Sequence, residues 1–363
     1  MAYTTSTLPV KDEGSLETRS VLKKAASAHR YLAELKGVSA SIPNEAILIN
    51  TLTMQEAKDS SEVENIVTTH DELYKAGLFN DYLNPAAKEV QDYAGALKRG
   101  FDRVRQLKIV RLGDILDIQQ ALEKNKAGLR KLPGTELKNQ QTGEVVYTPP
   151  QDPKLVELLM GNLVDYMNDD ELSDCDPLVK MAIIHFQFES IHPFYDGNGR
   201  TGRILNILYL LTQNLLDLPV LYLSRHIIRN KAHYYQKLQA VRDNNDWESW
   251  LLFMLDGIEK TAKQTIYLIE QIKVLMMNYK HGIRHDLPKI YSQDLLNNLF
   301  RHPYTKIEFV VNDLGVTRLT ATKYLEKLVE KGFLEKQKIG RSNYYINAPL
   351  CDLFSRNPDA PDN

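Results

Sequence analysis

The sequence predicts a mainly α-helical fold with two small β segments. Apolar residues recur three and four positions apart through most of the 363 residues, as they do on one face of a helix. Short β-prone runs flank a turn at only two places, around Thr142-Gly143 and around Gly340-Arg341. We therefore expect a helical body that contains one hairpin, followed by a C-terminal domain of α+β type.

The first part of the chain has the pattern of successive helices. Proline and glycine at 132–134 end this pattern. A hairpin is then expected over Glu136 to Tyr147, because Thr-Gly lies between two β-prone runs. The predicted helices span residues 16–36, 53–76, 85–106 and 112–124.

Helices resume after the hairpin, at Pro153 and again at Asp176-Pro177, where a capping residue precedes a proline. The second of them must end near His192, because Pro193 disfavours a helical residue before it. A glycine-containing loop follows. The remaining helices of this part are predicted at 201–216, 231–243 and 246–280.

Residues 288–347 differ from the rest, since three helices are followed there by two strands. That order is typical of a winged helix-turn-helix domain. Residues 349–363 are predicted to be a loose tail.

Composition argues against several classes of protein. The 45 Lys and Arg nearly balance the 47 Asp and Glu, so the whole chain lacks the basic excess of a nucleic-acid coat protein. Cys175 and Cys351 form no Cys-rich cluster, which argues against a disulfide framework or a zinc knuckle. No long apolar run and no secretory signal pattern are present. We expect a soluble cytoplasmic protein that does not contact membrane.

The densest chemical signal is the string HPFYDGNGRTGR, from His192 to Arg203. Gly197, Asn198 and Gly199 directly precede a helix, so that backbone N–H groups and the helix dipole can hold an anion. Arg200 and Arg203 are three residues apart and can share one face of that helix.

Two further side chains complete the predicted chemistry. Asp196 precedes the glycines, where a carboxylate beside phosphates could hold Mg²⁺. His192 can transfer a proton near neutral pH. The set predicts phosphoryl or nucleotidyl transfer.

The string resembles the signature of the Fic family, HxFx[D/E]GNGRxxR, at every fixed position. The resemblance implies a Fic-type helical core that transfers AMP from ATP to a Ser, Thr or Tyr hydroxyl of a target protein and of itself. His192 would be the general base and Asp196 the Mg²⁺ ligand. The residues implied for the ATP phosphates are Gly197, Asn198, Gly199, Arg200, Thr201, Gly202 and Arg203.

A second string, SSEVEN from Ser60 to Asn65, resembles the inhibitory motif of the same family, [S/T]xxxE[G/N]. The resemblance implies that Glu64 pairs with Arg203 and removes it from ATP. The same spacing also occurs at an ordinary helix start. The implied domains are an N-terminal helical region with the inhibitory helix (1–105), a Fic catalytic core (106–285), a winged helix-turn-helix (286–350) and a tail (351–363).

Other features are implied with less detail. The hairpin at 136–147 lies where Fic proteins carry a flap on which a target segment adds as a strand. Tyr235 matches an aromatic residue of the nucleoside pocket. Arg242 stands where some relatives place an asparagine that reads adenine, so ATP is the default donor and UTP, GTP and CDP-choline stay open. Many relatives form homodimers, and the resemblance leaves the oligomeric state of this chain open.

The C-terminal domain supports an alternative function. Residues 288–347 contain ten Lys and Arg against six Asp and Glu, so the basic excess of the chain is concentrated there. Thr317, Arg318, Thr320 and Thr322 would enter a DNA groove, with Lys336, Lys338 and Arg341 near phosphates. The alternative is a DNA-binding regulator whose Fic core senses nucleotide. Contact with a protein is the other role expected for this domain.

Overall fold

The computed structural model describes residues 5–76, 84–138, 142–339 and 342–355. In these ranges the chain is mainly α-helical, with two small antiparallel sheets, so the predicted fold class is confirmed. The N-terminal helices are α1 (Arg19–Ala40), α2 (Glu45–Val63), α3 (His70–Ala76), α4 (Pro85–Leu107) and α5 (Leu112–Glu123). The central helices are α6 (Pro153–Asn168), α7 (Pro177–Ile191), α8 (Asn198–Thr212), α9 (Leu223–Arg229), α10 (Lys231–Asn244) and α11 (Trp247–Asp286).

The single helix predicted at 53–76 is wrong, because α2 and α3 are separate. The side chain of Asn44 caps α2 by accepting from the N–H of Ala46, so the helix begins well before residue 53. It ends at Val63, and Asn65 has a positive φ of 64°, which breaks the helical path. The inhibitory string therefore lies at the C-terminal end of α2.

The centre of the fold is α7, whose residues from Leu178 to Ile191 are all buried. A helix whose residues are buried on every face must be covered on every side. Helices α6, α8 and α11 pack against it, and α4 and α5 pack against α8. The loop between α7 and α8 is therefore held between two core helices.

The predicted hairpin is present as β1 (Leu137–Lys138) and β2 (Val145–Tyr147), which pair antiparallel. Its residues 139–141 lie outside the described part of the chain. The Tyr147 hydroxyl donates to the carbonyl of Ser190 at 2.9 Å. This contact fixes the hairpin beside the C-terminal end of α7.

The C-terminal domain contains α12 (Gln293–Arg301), β3 (Tyr304–Thr305), α13 (Ile307–Leu314), α14 (Arg318–Glu330), β4 (Glu335–Ile339) and β5 (Ser342–Ile346). The strands form one antiparallel sheet in the order β3-β5-β4. Thus the predicted order of three helices and a hairpin is present, with one added short strand.

The prediction of a loose tail from residue 349 is wrong up to residue 355. Ala348–Ser355 forms a further helix, α15, in which Leu350 and Phe354 are buried. It packs on α3 and α11, so its apolar side chains stabilise a helix that the sequence pattern was too short to indicate. Residues 356–363 lie outside the described ranges. Among the described helices, none combines the length and the apolar character that crossing a bilayer requires.

Candidate active site

The site begins where α7 ends. His192 has a left-handed backbone, with a φ of 49°, and its N–H donates to the carbonyl of Phe188 at 2.9 Å. Pro193 follows and cannot extend the helix. The turn therefore places His192 at the junction of the buried helix and the glycine loop.

Arg130 holds this turn from outside the motif. Its Nε donates to the carbonyl of His192 at 2.8 Å, and one terminal nitrogen donates to the carbonyls of Ile191, at 3.2 Å, and Pro150. Its backbone N–H donates to the carbonyl of Pro193 at 2.8 Å. Arg130 was not predicted from the sequence, because no local pattern shows that a residue about sixty positions away meets this turn.

Replacing Arg130 by methionine is expected to lower the free energy of unfolding by about 3 kcal/mol, because buried carbonyl groups lose their donor. Urea denaturation measures this loss. Lys131→Met is the matched control, since Lys131 is exposed and its change should have little effect. Equal stability of the two variants would contradict the assigned role of Arg130.

His192 is held as a neutral base. Burial, with the positive charges of Arg130 and Arg242 nearby, lowers the pKa of its imidazole to about 4. Its Nδ1 is buried, and a hydrogen bond between the imidazole and the backbone of Glu189 offsets a small part of the lowering of the pKa. Arg242 is fixed beside it by stacking on the ring of Tyr147, 3.9 Å from the ring centre. At neutral pH the imidazole can therefore accept a proton.

The glycine loop, which consists of Gly197, Asn198 and Gly199, forms the N-terminus of α8. Gly197 is the N-cap, with a φ of 79°, and no side chain caps this helix end. Asn198 spans the loop, because its Oδ1 accepts from the N–H of Phe194 and its Nδ2 donates to the carbonyl of Phe194, both at 2.8 Å. The loop is thus preformed, and the free N–H groups of the first helical turn favour an anion.

Arg203 is buried, and its guanidinium is hydrogen-bonded to residues at the C-terminal end of α2. Its Nε donates to Ser60 Oγ at 2.7 Å, and one terminal nitrogen donates to the carbonyl of Ser60 at 2.9 Å and to Glu64 Oε1 at 2.8 Å. Burial alone would raise the pKa of Glu64, but Arg203 more than offsets this, and the pKa is lowered. The Glu64–Arg203 pair that the family resemblance implies is therefore present in the structure.

Glu64 also lies directly against the glycine loop. A Cβ atom built on Gly199 would be 2.4 Å from Glu64 Oε1. The next residue, Asn65, joins the end of α2 to α10, because its Oδ1 accepts from Lys231 Nζ at 2.9 Å. The carboxylate thus occupies the face of the loop where an anion would bind.

Arg200 points to a different set of carboxylates. Its terminal nitrogens donate to Glu123 Oε1 at 2.7 Å and to Glu89 Oε2 at 3.2 Å. Burial raises the pKa of Glu123, and the charge of Arg200 partly offsets that rise. The two arginines of the motif are therefore separated, and neither Glu89 nor Glu123 was expected from the sequence, since both come from distant helices.

Asp196 is the residue expected to hold a metal ion. It is exposed at the N-terminus of α8, and its Oδ1 accepts from the N–H of Gly197 at 2.7 Å. A single exposed carboxylate beside a preformed anion loop suits Mg²⁺, which takes few protein ligands and several phosphate oxygens and waters.

The two tyrosines of α10 have different environments. Tyr234 is buried and its hydroxyl contacts His185 Nε2 at 2.8 Å, whereas Tyr235 is 47% exposed. His185 in turn contacts Asn206, a buried side chain of α8. Tyr234 is thus a core residue, and Tyr235 is the one available to a ligand.

The basic residues of the C-terminal domain are partly paired within the domain. Arg318 contacts Glu308 and Lys336 contacts Glu326, each at 2.6 Å. The N-terminal end of α14 also carries Leu319, which is 85% exposed. Thr317, Thr320 and Thr322 lie on the same end, and Arg341 is outside the described part of the chain.

Comparison with family models matches three parts of the chain. Residues 109–210 match the model described as Fic/DOC family, and residues 22–102 match Fic/DOC family N-terminal. Residues 275–350 match the model of the protein adenylyltransferase SoFic-like C-terminal domain.

The curated relatives match either a short part of this chain or a longer part at lower sequence identity. Protein adenylyltransferase fic-1 of Caenorhabditis elegans is 33% identical over 91 residues, which is 25% of this chain and 17% of the relative. Protein adenylyltransferase Fic of Drosophila grimshawi is 24% identical over 242 residues, 64% of this chain and 44% of the relative. The chain thus spans less than half the length of these relatives.

Solved structures share the fold. A Fic family protein from Desulfovibrio desulfuricans G20 aligns with a TM-score of 0.57 at 18% identity, over 94% of this chain and 98% of that one. Fic-1 from C. elegans aligns with a TM-score of 0.52 at 18% identity, over 69% and 73%. The predicted Fic-type helical core is confirmed as a fold.

Proposed function

Because this chain belongs to the Fic/DOC family, we propose that it transfers AMP from ATP to a hydroxyl side chain of a target protein and of itself. The observation that carries the proposal is the preformed N-terminus of α8, which lies between a neutral histidine and a buried arginine. Phosphoryl and nucleotidyl transfer need this combination of a base, an anion cradle and positive charge.

His192 removes the proton from the target hydroxyl. The hydroxyl oxygen then forms a bond to the α-phosphorus of ATP, and the bond from that phosphorus to the bridging oxygen of pyrophosphate breaks. The proton goes to His192, and pyrophosphate leaves with the bond electrons. Since the imidazole is neutral in the free protein, it is ready to act without first losing a proton.

The residues of α8 hold the departing phosphates. Backbone N–H groups after Gly197 and the guanidinium of Arg203, once free of Glu64, face the negative charge that develops. Mg²⁺, when bound at Asp196, would neutralise part of that charge. Tyr235 is placed to contact the nucleoside, because it is the exposed tyrosine of α10.

Labelled nucleotide tests the reaction directly. With Mg²⁺ present, ATP labelled at the α-phosphorus should label the Glu64→Gly chain, and ATP labelled at the γ-phosphorus should not. Label from the γ-position would indicate a kinase instead and would contradict the proposal. UTP and GTP labelled at the α-phosphorus, together with CDP-choline labelled in its phosphates, test the choice of donor.

We further propose that the protein as described is in an inhibited state, and that inhibition acts within one chain. Glu64 reaches Arg203 of the same chain, with Ser60 holding the same guanidinium. Inhibition within a chain does not depend on concentration. The low self-labelling of wild type should therefore be unchanged on dilution, whereas inhibition between the chains of a homodimer would weaken.

The pH dependence of the uninhibited protein tests the base. His192 must be neutral to act, and its lowered pKa keeps it neutral until the pH approaches 4. Values of kcat/KM for the Glu64→Gly variant should therefore be flat from pH 8 to about 5 and fall below that. An acidic limb centred near the ordinary histidine value of about 6.5 would contradict the assignment.

The target segment is proposed to add to the 136–147 hairpin as an extra strand. Strand β2 presents Val145 and Val146 to solvent, and Tyr147 fixes its end beside α7. Backbone hydrogen bonds would align the incoming segment, as in other cases of strand addition. Val146→Pro should reduce labelling of an added peptide more than it reduces ATP binding.

For the C-terminal domain we propose contact with a protein in preference to DNA. Leu319 is an exposed apolar side chain where a groove-reading helix would place polar groups, and Arg318 and Lys336 already contact carboxylates. The full chain should then pass through a duplex-DNA column without retention at low salt. Retention that decreases with added salt would support the DNA-binding regulator instead.

A further inference from the structure

We propose that Glu123 is a positioning residue of the glycine loop. It holds Arg200 and packs on Gly197 throughout the reaction, while Arg203 alone is exchanged between Glu64 and the nucleotide. The inference rests on the proposed function. It assigns different tasks to two arginines that look equivalent in the motif.

Carboxylates hold both terminal nitrogens of Arg200. Its side chain is 6% exposed, these nitrogens contact Glu123 and Glu89, and Nε is buried without a hydrogen-bond partner among the described residues. A buried guanidinium that loses its carboxylate leaves an uncompensated charge, which is strongly unfavourable. Arg200 therefore joins the first turn of α8 to the ends of α5 and α4.

Glu123 also leaves no room for a side chain at position 197. A Cβ atom on Gly197 would be 2.6 Å from Glu123 Oε1, the same oxygen that accepts from Arg200. One carboxylate oxygen thus contacts both the loop and the helix that the loop begins. This fixes the direction of the N–H groups that would hold phosphate.

The two carboxylate–arginine pairs differ in their exposure to solvent. The Glu64 side chain is 33% exposed, and this residue lies just beyond the last residue of α2. The Glu123 side chain is 13% exposed, and this residue is the last of α5, within a helix that packs on α4 and α8. A competing anion can therefore reach the Glu64–Arg203 pair more readily than the Glu123–Arg200 pair.

Binding of ATP and of adenosine separates this role from a general loss of structure. The phosphates of ATP would contact the glycine loop, whereas adenosine has no phosphate group. Loss of Glu123 should therefore weaken ATP and leave adenosine unchanged. A variant that is merely less folded would lose both in proportion.

The experiment uses the full chain with Glu64→Gly and His192→Ala, so that nucleotide binds without competition or turnover. NMR titration gives Kd for ATP and for adenosine. Adding Glu123→Ala should raise Kd for ATP about tenfold, with no change for adenosine. Glu123→Gln keeps an oxygen acceptor and the same size but loses the charge, so it should raise Kd for ATP by a smaller factor, about threefold.

Asp92→Asn is the matched control. Asp92 is on α4 and contacts the Nζ atom of Lys124, the residue after Glu123, at 2.7 Å. This pair therefore joins the same two helices as the Glu123 contacts but does not involve Arg200. It should leave both affinities unchanged. If Glu123→Ala does not fold, the glutamine variant decides: weaker ATP binding with unchanged adenosine binding supports the positioning role, and unchanged or tighter ATP binding overturns it.

The inference is overturned if Glu123→Ala leaves ATP affinity unchanged, raises it, or weakens ATP and adenosine equally. A failure of the proposed function would be recognised by a different experimental result. In that case the Glu64→Gly variant with Glu123 and His192 intact would take no label from α-labelled ATP.

Discussion

Glu64→Gly is expected to raise self-labelling with AMP by at least about tenfold over wild type. The change removes the carboxylate that accepts from Arg203 and lies against Gly199. Among the described residues, Arg203 then keeps hydrogen bonds to Ser60 alone, so phosphate can take the place of Glu64. Incorporation of α-labelled ATP into the purified chain measures the increase.

The matched control for this change is Glu62→Gly. Glu62 lies two residues earlier on the same helix end and contacts Lys58, away from the loop. Glu62 is inside the last turn of α2 and Glu64 is its C-cap, so glycine at position 62 loosens the end of the helix at least as much as glycine at position 64. If Glu62→Gly activates as much as Glu64→Gly, the increase comes from loosening of α2, and the assigned role of the Glu64–Arg203 pair is wrong.

His192→Ala, made in the Glu64→Gly chain, is expected to lower AMP transfer by roughly 10²- to 10⁴-fold. The variant loses the only imidazole at the junction of α7 and the glycine loop in the described chain. ATP binding should be retained, because the anion loop and Arg203 are unchanged. The kcat for self-labelling and the Kd for ATP are measured separately.

His233→Ala is the control, since His233 is exposed on α10. It should leave kcat within about twofold of the parent. Should the His192 variant keep full activity, another group must remove the proton, and the mechanism described above fails.

The features that the sequence predicts well are those that depend on neighbouring residues. Pro193 sets the end of α7, and Gly197 with its positive φ sets the start of α8. The His192–Arg203 string is thus local, and its order on the chain is its order in space. Glu64 is distant, and only the resemblance to a family motif connected it to Arg203.

The residues that were missed act across long separations. Arg130 and Glu123 contact the loop from about sixty to eighty residues away, and each looks like an ordinary charged residue in its own segment. Helix α15 was missed for a related reason: its short apolar pattern becomes meaningful only when Phe354 meets the rest of the core. The break after Val63 depends on the backbone of Asn65, which helical periodicity does not reveal.

The most direct test of the central claim is the intact mass of the full chain after incubation with ATP and Mg²⁺. We expect that the Glu64→Gly chain gains the mass of one or more AMP groups, whereas wild type gains little and the Glu64→Gly chain with His192→Ala gains none. An unchanged mass for Glu64→Gly, or a gain of phosphate alone, would contradict it.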